Sequence, residues 1–467
     1  MEKKYSKLGF NMIWMLMGNF ATKFLLFFLV PFYTSYMSTS EFGTADLIST
    51  AVGLVTPIFS VLISESILRF TLDSSLEKKQ ILTISIWVIV FGFFCLVLFS
   101  PLLCLSDAMS PYILEFVLYY FFGTLCLTLQ QYTKGLEHIK VFTISSIINT
   151  MSNVLFAILF LCFCDFGVKG YLYSIILGYF VTIIYIVFRE HVWVNLIHFK
   201  IIDRVLARRI IRYSVPLVPN SLSWWVNNSL DKFIVTYFCG TSVNGVYAIA
   251  YKIPSFMNAI SSVFTSAWQI SAVENFGSKE SRDFFSDIYI KYSSLYIIVT
   301  SVLLFFMQPL AKILFSDEFY HAWKYACILI IASMFQALCG FVGTVYTTAM
   351  KTTKIFLTTF IGALINTIFN FLLIPLMGAL GAALATLIGY FSVWIIRMTD
   401  SKKILEIKGE FFKDCCCYFL LIGQCASMYF IEKGSSLINF ILLVIVIFLN
   451  RRFCKDIGLI IKAKIIK

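Results

Sequence analysis

"INTMSNVLF" occupies residues 148–156 and "INTIFNFLL" occupies residues 365–373. Each sets two amides four residues apart, Asn149/Asn153 and Asn366/Asn370, inside a stretch otherwise apolar enough to cross a bilayer. The match runs on. Gly167, Gly170 and Gly178 follow the first copy, and Gly378, Gly381 and Gly389 follow the second, with the same spacing and the same closing Gly-Tyr-Phe. A weaker correspondence lies upstream: Asn19 precedes Gly43 of "EFGTADL" by 24 residues, and Asn220 precedes Gly245 of "VNGVYAI" by 25. A six-helix unit is therefore used twice. Six is even, so both copies enter the membrane the same way round, giving two parallel lobes about a central cavity.

Composition sets the class. The 467 residues are 60% hydrophobic and 13% charged, with mean hydropathy +0.87, more apolar surface than a soluble core can use. Apolar segments of about 20 residues, enough for a hydrocarbon layer of about 30 Å, recur throughout. The expected fold is an all-α polytopic membrane protein with about fourteen transmembrane helices. They fall near 10–34, 46–68, 81–105, 112–133, 141–164, 168–188, 214–238, 245–270, 289–313, 323–347, 355–375, 379–398, 414–431 and 436–450. Residues 1–195 form the first lobe and 196–403 the second; 404–467 add two further helices and a basic tail. The first apolar stretch is too long for a signal-peptide core.

Thirty Lys and Arg residues fall on the side of the termini, against Lys169, Lys312, Lys324 and Lys433 on the other. That bias predicts cytoplasmic termini. It also assigns the net charge of +12 to topology and anionic lipid, because no folded nucleic-acid-binding module is visible. The 13 cysteines and four histidines show no metal or redox spacing, so no metal site and no cofactor are expected.

Charges inside spans are costly and mark candidate sites. Lys23 lies near the middle of the first span, with no acid of its lobe at the same depth. Asp231 and Lys232 lie in the outer part of the seventh span, and Lys252 in the outer part of the eighth. A rise of about 1.5 Å per residue sets Asp231 and Lys252 about 10 Å below the outer surface, where they can pair as a structural bridge or a gate. Lys23, Lys252 and Lys232 make a cationic cavity suited to a phosphorylated headgroup. The amides Asn19, Asn220, Asn149, Asn153, Asn366 and Asn370 either pack the lobes by hydrogen bonds between helices or line the cavity.

"SEFGTADL", "YSVPLVPNSLSWWVNNSLDKFIVTYFCGTSVNGVYAIAYKI" across the seventh and eighth spans, and "AWQIS" at 267–271 carry a family resemblance. The chain resembles the Wzx-type polysaccharide-export flippases, also called O-antigen or lipid-linked-oligosaccharide flippases, of the multidrug/oligosaccharidyl-lipid/polysaccharide exporter superfamily. The resemblance implies a carrier of polyprenyl-pyrophosphate-linked oligosaccharide across a bacterial inner membrane. It also implies membrane lipid and polysaccharide polymerase machinery as partners. Coupling to protons or Na⁺ is open, with Asp231 as its carboxylate, though a neighbouring Lys⁺ would keep that acid ionised.

Two rivals remain. A cation-coupled multidrug exporter would share the fold but favours buried acids, whereas here three buried bases face one acid. A membrane enzyme of polysaccharide assembly needs a catalytic cluster on a substantial loop, and the outward loops are short. No Walker-type nucleotide motif occurs, and the expectation is a protein that is not an enzyme.

Overall fold

The computed structural model describes residue 25 and residues 29–456 except 74, 193–202, 278–279 and 432–433. Among the described residues every regular element is helical. In chain order the helices are α1 (Thr39–Phe59), α2 (Ile63–Thr71), α3 (Lys78–Phe99), α4 (Ile113–Gly135), α5 (Ile139–Ala157), α6 (Gly167–Arg189), α7 (Arg204–Ser214) and α8 (Leu217–Ala250). They continue as α9 (Lys252–Asn275), α10 (Ser281–Phe305), α11 (Met307–Leu314), α12 (Ala322–Thr348), α13 (Thr352–Met377), α14 (Ala379–Ser401), α15 (Phe411–Phe430) and α16 (Ser435–Leu449). Ten helical segments are long and apolar enough to cross a membrane. The protein is an all-α polytopic membrane protein.

The difference from fourteen has local causes. The first expected span lies mostly outside the described residues. The seventh and eighth count as one long segment, yet the chain breaks between them at Gly240, whose φ of 86° and ψ of 170° suit a residue without Cβ. The thirteenth and fourteenth are α15 and α16, the latter only 15 residues long. The second span is cut at Ser60–Leu62, where Val61 and Leu62 both take φ of 52°. Pro57 has already removed one backbone donor there.

The chain divides into two compact units. One comprises Met1–Thr236 with Gly240–Gly245, the other Tyr237–Cys239 with Val246–Lys467. In the first unit Ser38 and Glu41 form a capping box that starts α1. An apolar cluster joins α2, α3, α4, α6 and α7 through Ile63, Ile67, Ile81, Leu129, Ile186, Leu206 and Ile210. The sequence reading left α7 as loop, yet Leu206, Ile210 and Ser214 recur every four residues and bury one stripe of a helix. Ser66 fixes it on α2, hydrogen-bonding Ser214 and donating to the Ile210 carbonyl at 3.2 Å.

In the second unit α12 is the central helix, buried along nearly its whole length. Trp268 of "AWQIS" stacks on Phe341 at 4.8 Å and donates to Thr344 at 2.8 Å, so this residue is part of the core. Arg397, near the C-terminal end of α14, is only 5% exposed. Its guanidinium donates to Thr358, Thr359 and the Cys339 carbonyl at 2.8–3.0 Å, tying α12, α13 and α14 together.

Candidate functional site

The amide pairs of the repeat fold alike at the backbone and differ at the side chain. A Cβ on Gly178 would meet the Asn149 carbonyl at 3.2 Å, and one on Gly389 would meet the Asn366 Cβ at 3.1 Å. Each glycine therefore lets its helix close on the amide-bearing helix before it. In the second copy Asn370 donates to Asn366 at 2.9 Å and Asn366 reaches Thr386 on α14 at 3.4 Å. Both amides are buried. Their role there is hydrogen bonding within and between helices. The position equivalent to Thr386 in the first copy is Ile175, which offers no hydroxyl. Asn149 makes only a 3.8 Å contact with the Cys126 thiol, and Asn153 accepts from Tyr33 at 3.4 Å.

The first copy also carries extra chain. Fourteen residues separate Asn153 from Gly167, against eight between Asn370 and Gly378. The amide-bearing helix there ends in a π-helical run at Ile158–Phe163, and residues 164–166 link it to Gly167.

Asn149 faces a cavity of about 530 Å³ inside the first unit. The break after α1 contributes Leu62, and irregular backbone at membrane depth belongs where it borders such a space. Ser49, Thr56, Tyr119, Tyr120, Thr124, Gln130, Ser146, Thr150, Tyr179 and Ser221 supply hydroxyls and an amide, and among the described residues that line it none is charged. The rings of Tyr119 and Tyr179 lie 5.9 Å apart.

A second feature joins α1 to α8. Lys232 Nζ meets Asp46 at 2.9 Å, with both side chains less than one-sixth exposed. Trp225 donates to the Thr50 carbonyl at 3.0 Å. Further along, Thr39 and Ser242 hydroxyls lie 2.6 Å apart, Ser40 and Thr241 hydroxyls 3.0 Å apart, and Asn244 donates to the Gly43 carbonyl at 3.1 Å. Gly43 and Gly245 sit between them, each too close to the other's segment for a Cβ. Thr39-Ser40-x-x-Gly43 and Thr241-Ser242-x-x-Gly245 are the same motif, so Thr39 meets the twin of Ser40 and Ser40 meets the twin of Thr39. This is a local twofold contact between repeated segments.

The model of the polysaccharide biosynthesis protein family matches residues 8–273, more than half of the chain. The chain belongs to that family. A curated relative, an uncharacterised membrane protein of Methanocaldococcus jannaschii, is 26% identical over 222 residues, 44% of this chain and 41% of that protein. Among solved structures, the lipid II flippase MurJ in an inward closed conformation is similar over 97% of this chain and 99% of its own, with TM-score 0.71 and 13% identity. An inward-facing multidrug resistance MATE family transporter of the MOP superfamily is similar over 83% and 97%, with TM-score 0.66 and 12% identity. At such identities the likeness is one of fold.

The family match covers the cavity, the ion pair and the twofold contact entirely. Lys23 and Asn19 lie outside the described residues. Lys232 is held by Asp46 of α1. Asp231 is 3% exposed in the first unit and accepts from the backbone N–H of Lys232 at 3.0 Å. Lys252 opens α9 in the second unit and is half-buried, while Asn220 is exposed near the start of α8. Sequence reasoning found Asn149 but missed the tyrosines and hydroxyls around it. It also missed the Thr-Ser pair ahead of each glycine, which was visible as a repeated motif.

Proposed function

We propose that this family member is a flippase. It moves polyprenyl-diphosphate-linked oligosaccharide from the cytoplasmic to the outer leaflet of a bacterial inner membrane by alternating access, with both termini cytoplasmic. The observation that carries this reading is the cavity inside a membrane-spanning unit, rich in hydroxyls among its described lining residues. A polyhydroxylated headgroup leaving water needs hydrogen-bond partners that hydrocarbon lacks, and this cavity offers them. Membership of a polysaccharide biosynthesis family and a transporter fold support the same conclusion. Among the described lining residues a cationic drug would find no carboxylate, which argues against the multidrug reading.

Under this proposal Lys23 and Lys252 attract the diphosphate, and Asp231 serves as a gate or ion-coupling carboxylate. Lys232, already paired with Asp46, holds α1 against α8. The test is deletion of the gene followed by assay of lipid-linked oligosaccharide. Material should accumulate facing the cytoplasm, and a Lys23→Glu variant that inserts normally should reproduce the defect. Undiminished export in the deletion strain would end the flippase reading. Full export by the variant would end only the role given to Lys23.

A further inference from the structure

Basic residues at one end of the second unit converge on a pocket of about 570 Å³ between the start of α15 and the end of α16. Glu410, Phe411, Phe412 and Lys413 line it from α15, and Arg451 and Arg452 line it from the chain just past α16. Asn450, 2% exposed, donates to the Cys417 thiol at 3.5 Å and so ties these two helix ends together. The arginines that follow it are thereby kept beside the first turn of α15.

The three cations are neutralised unequally. Lys413 is less than one-fifth exposed, meets Glu410 at 2.6 Å and Asp414 at 3.7 Å, and donates to Ser294 at 3.1 Å. Arg452 stands 3.7 Å from the same Glu410 with 90% of its side chain exposed, and Arg451 lies over the Phe448 ring at 4.9 Å. Ion pairs that exposed are weak, so two guanidiniums share one acid that Lys413 already holds. Their planar forks match the oxygens of a phosphate. The start of α15 adds to this field, because the first N–H groups of a helix have no partner within it and Glu410 supplies no side-chain cap.

The apolar rim says what kind of anion fits. Phe412 is 87% exposed, and Phe448 on α16 is 61% exposed. Phe419 and Phe440 continue the exposed aromatic surface along the same two helices. A water-soluble anion would leave these rings uncovered, whereas a phospholipid sets its phosphate among the arginines and its chains over the rings. Basic pockets between membrane helices take anionic lipid headgroups in this way. We infer that the pocket is a binding site for the phosphodiester headgroup of an anionic membrane phospholipid, with Arg451 and Arg452 on the phosphate and Phe411 and Phe412 against the glycerol and acyl chains. The site shares no residue with the cavity of the first unit and does not depend on what the protein transports.

The test titrates lipid into the purified full-length protein in detergent and reads bound lipid by native mass spectrometry. Phosphatidylglycerol should bind about tenfold or more tightly than phosphatidylcholine. Arg451→Ala combined with Arg452→Ala should cut that preference to about twofold or less. Lys351→Ala combined with Lys402→Ala removes the same charge from the same unit and should leave the preference within about twofold of its original value. All four side chains are exposed, so the fold is kept. Phe412→Ser should weaken phosphatidylglycerol by about three- to tenfold, since the chains lose an apolar surface. Inorganic phosphate at the concentration of lipid that saturates the site should displace none of it. Equal losses in the two double variants would reveal only diffuse attraction to a basic surface, and displacement by inorganic phosphate would reveal a general anion site. Either result overturns the lipid site, as does equal binding of the two lipids by the unaltered protein or full binding by the Phe412 variant. The flippase reading stands in every case.

Discussion

Gly43→Ala is the smallest change that challenges the contact between the repeated segments. A Cβ there would sit 1.8 Å from the Thr241 carbonyl oxygen and 2.8 Å from the Gly245 nitrogen. Carbon–oxygen contacts settle near about 3.3 Å, so the segments must part by roughly 1.5 Å. Both obstacles are backbone atoms, and no flexible side chain can yield. Overpacking of this kind costs about 1–3 kcal/mol. Losing the buried Asn244 bond to the Gly43 carbonyl adds about 0.5–1.5 kcal/mol. A total of about 2–4 kcal/mol corresponds to about a 30- to 700-fold shift away from the closed contact. The assay places cysteines at 39 and 242, whose hydroxyls lie 2.6 Å apart, and measures the rate of the 39–242 disulfide by mass spectrometry. Adding Gly43→Ala should slow that reaction by at least tenfold. A change under threefold would refute the close approach of these segments.

Asp46→Asn removes the carboxylate that meets Lys232 at 2.9 Å and should lower the unfolding midpoint. Joint replacement of Asp46 and Lys232 by leucine should recover most of that loss in a thermal-unfolding assay. Arg397→Lys should lower the unfolding midpoint nearly as far as Arg397→Met, because an ammonium cannot reach Thr358, Thr359 and the Cys339 carbonyl together. Gly178→Ala and Gly389→Ala should each cost about 1–3 kcal/mol in the same assay, since both push on the preceding helix. Neutral behaviour at either glycine would separate the two copies of the repeat.

The sequence carried the repeat plainly because a close helix approach needs a small residue at a set distance from its neighbour. Asn366 and Gly389 record that requirement, as do Asn149 and Gly178. It could not show that Asn366 would find Thr386 while Asn149 would face a cavity, since that depends on one residue, Ile175, across a helix pair. The serines, threonines and tyrosines of the cavity were unreadable for a similar reason. A hydroxyl on a membrane helix can satisfy itself on its own backbone, as Ser49 does, and a tyrosine looks like any core aromatic. Lys232 and Asp46 are 186 residues apart, beyond any local pattern. The α7 helix was hidden by its arginines, whose polarity outweighs the two large apolar residues that anchor it. Arg397 lies near the end of its helix, where hydropathy reads a cation as loop although the side chain turns inward.

The twofold contact has a consequence for descent. Gly43 abuts Gly245, and Thr39 and Ser40 abut the twins of one another, so a mutation in the first half of the gene meets the second half of the same gene. These codons cannot drift independently after duplication. An enlargement at 43 survives only with a compensating reduction near 241–245, and an alignment of relatives should show the two positions changing size in opposite directions.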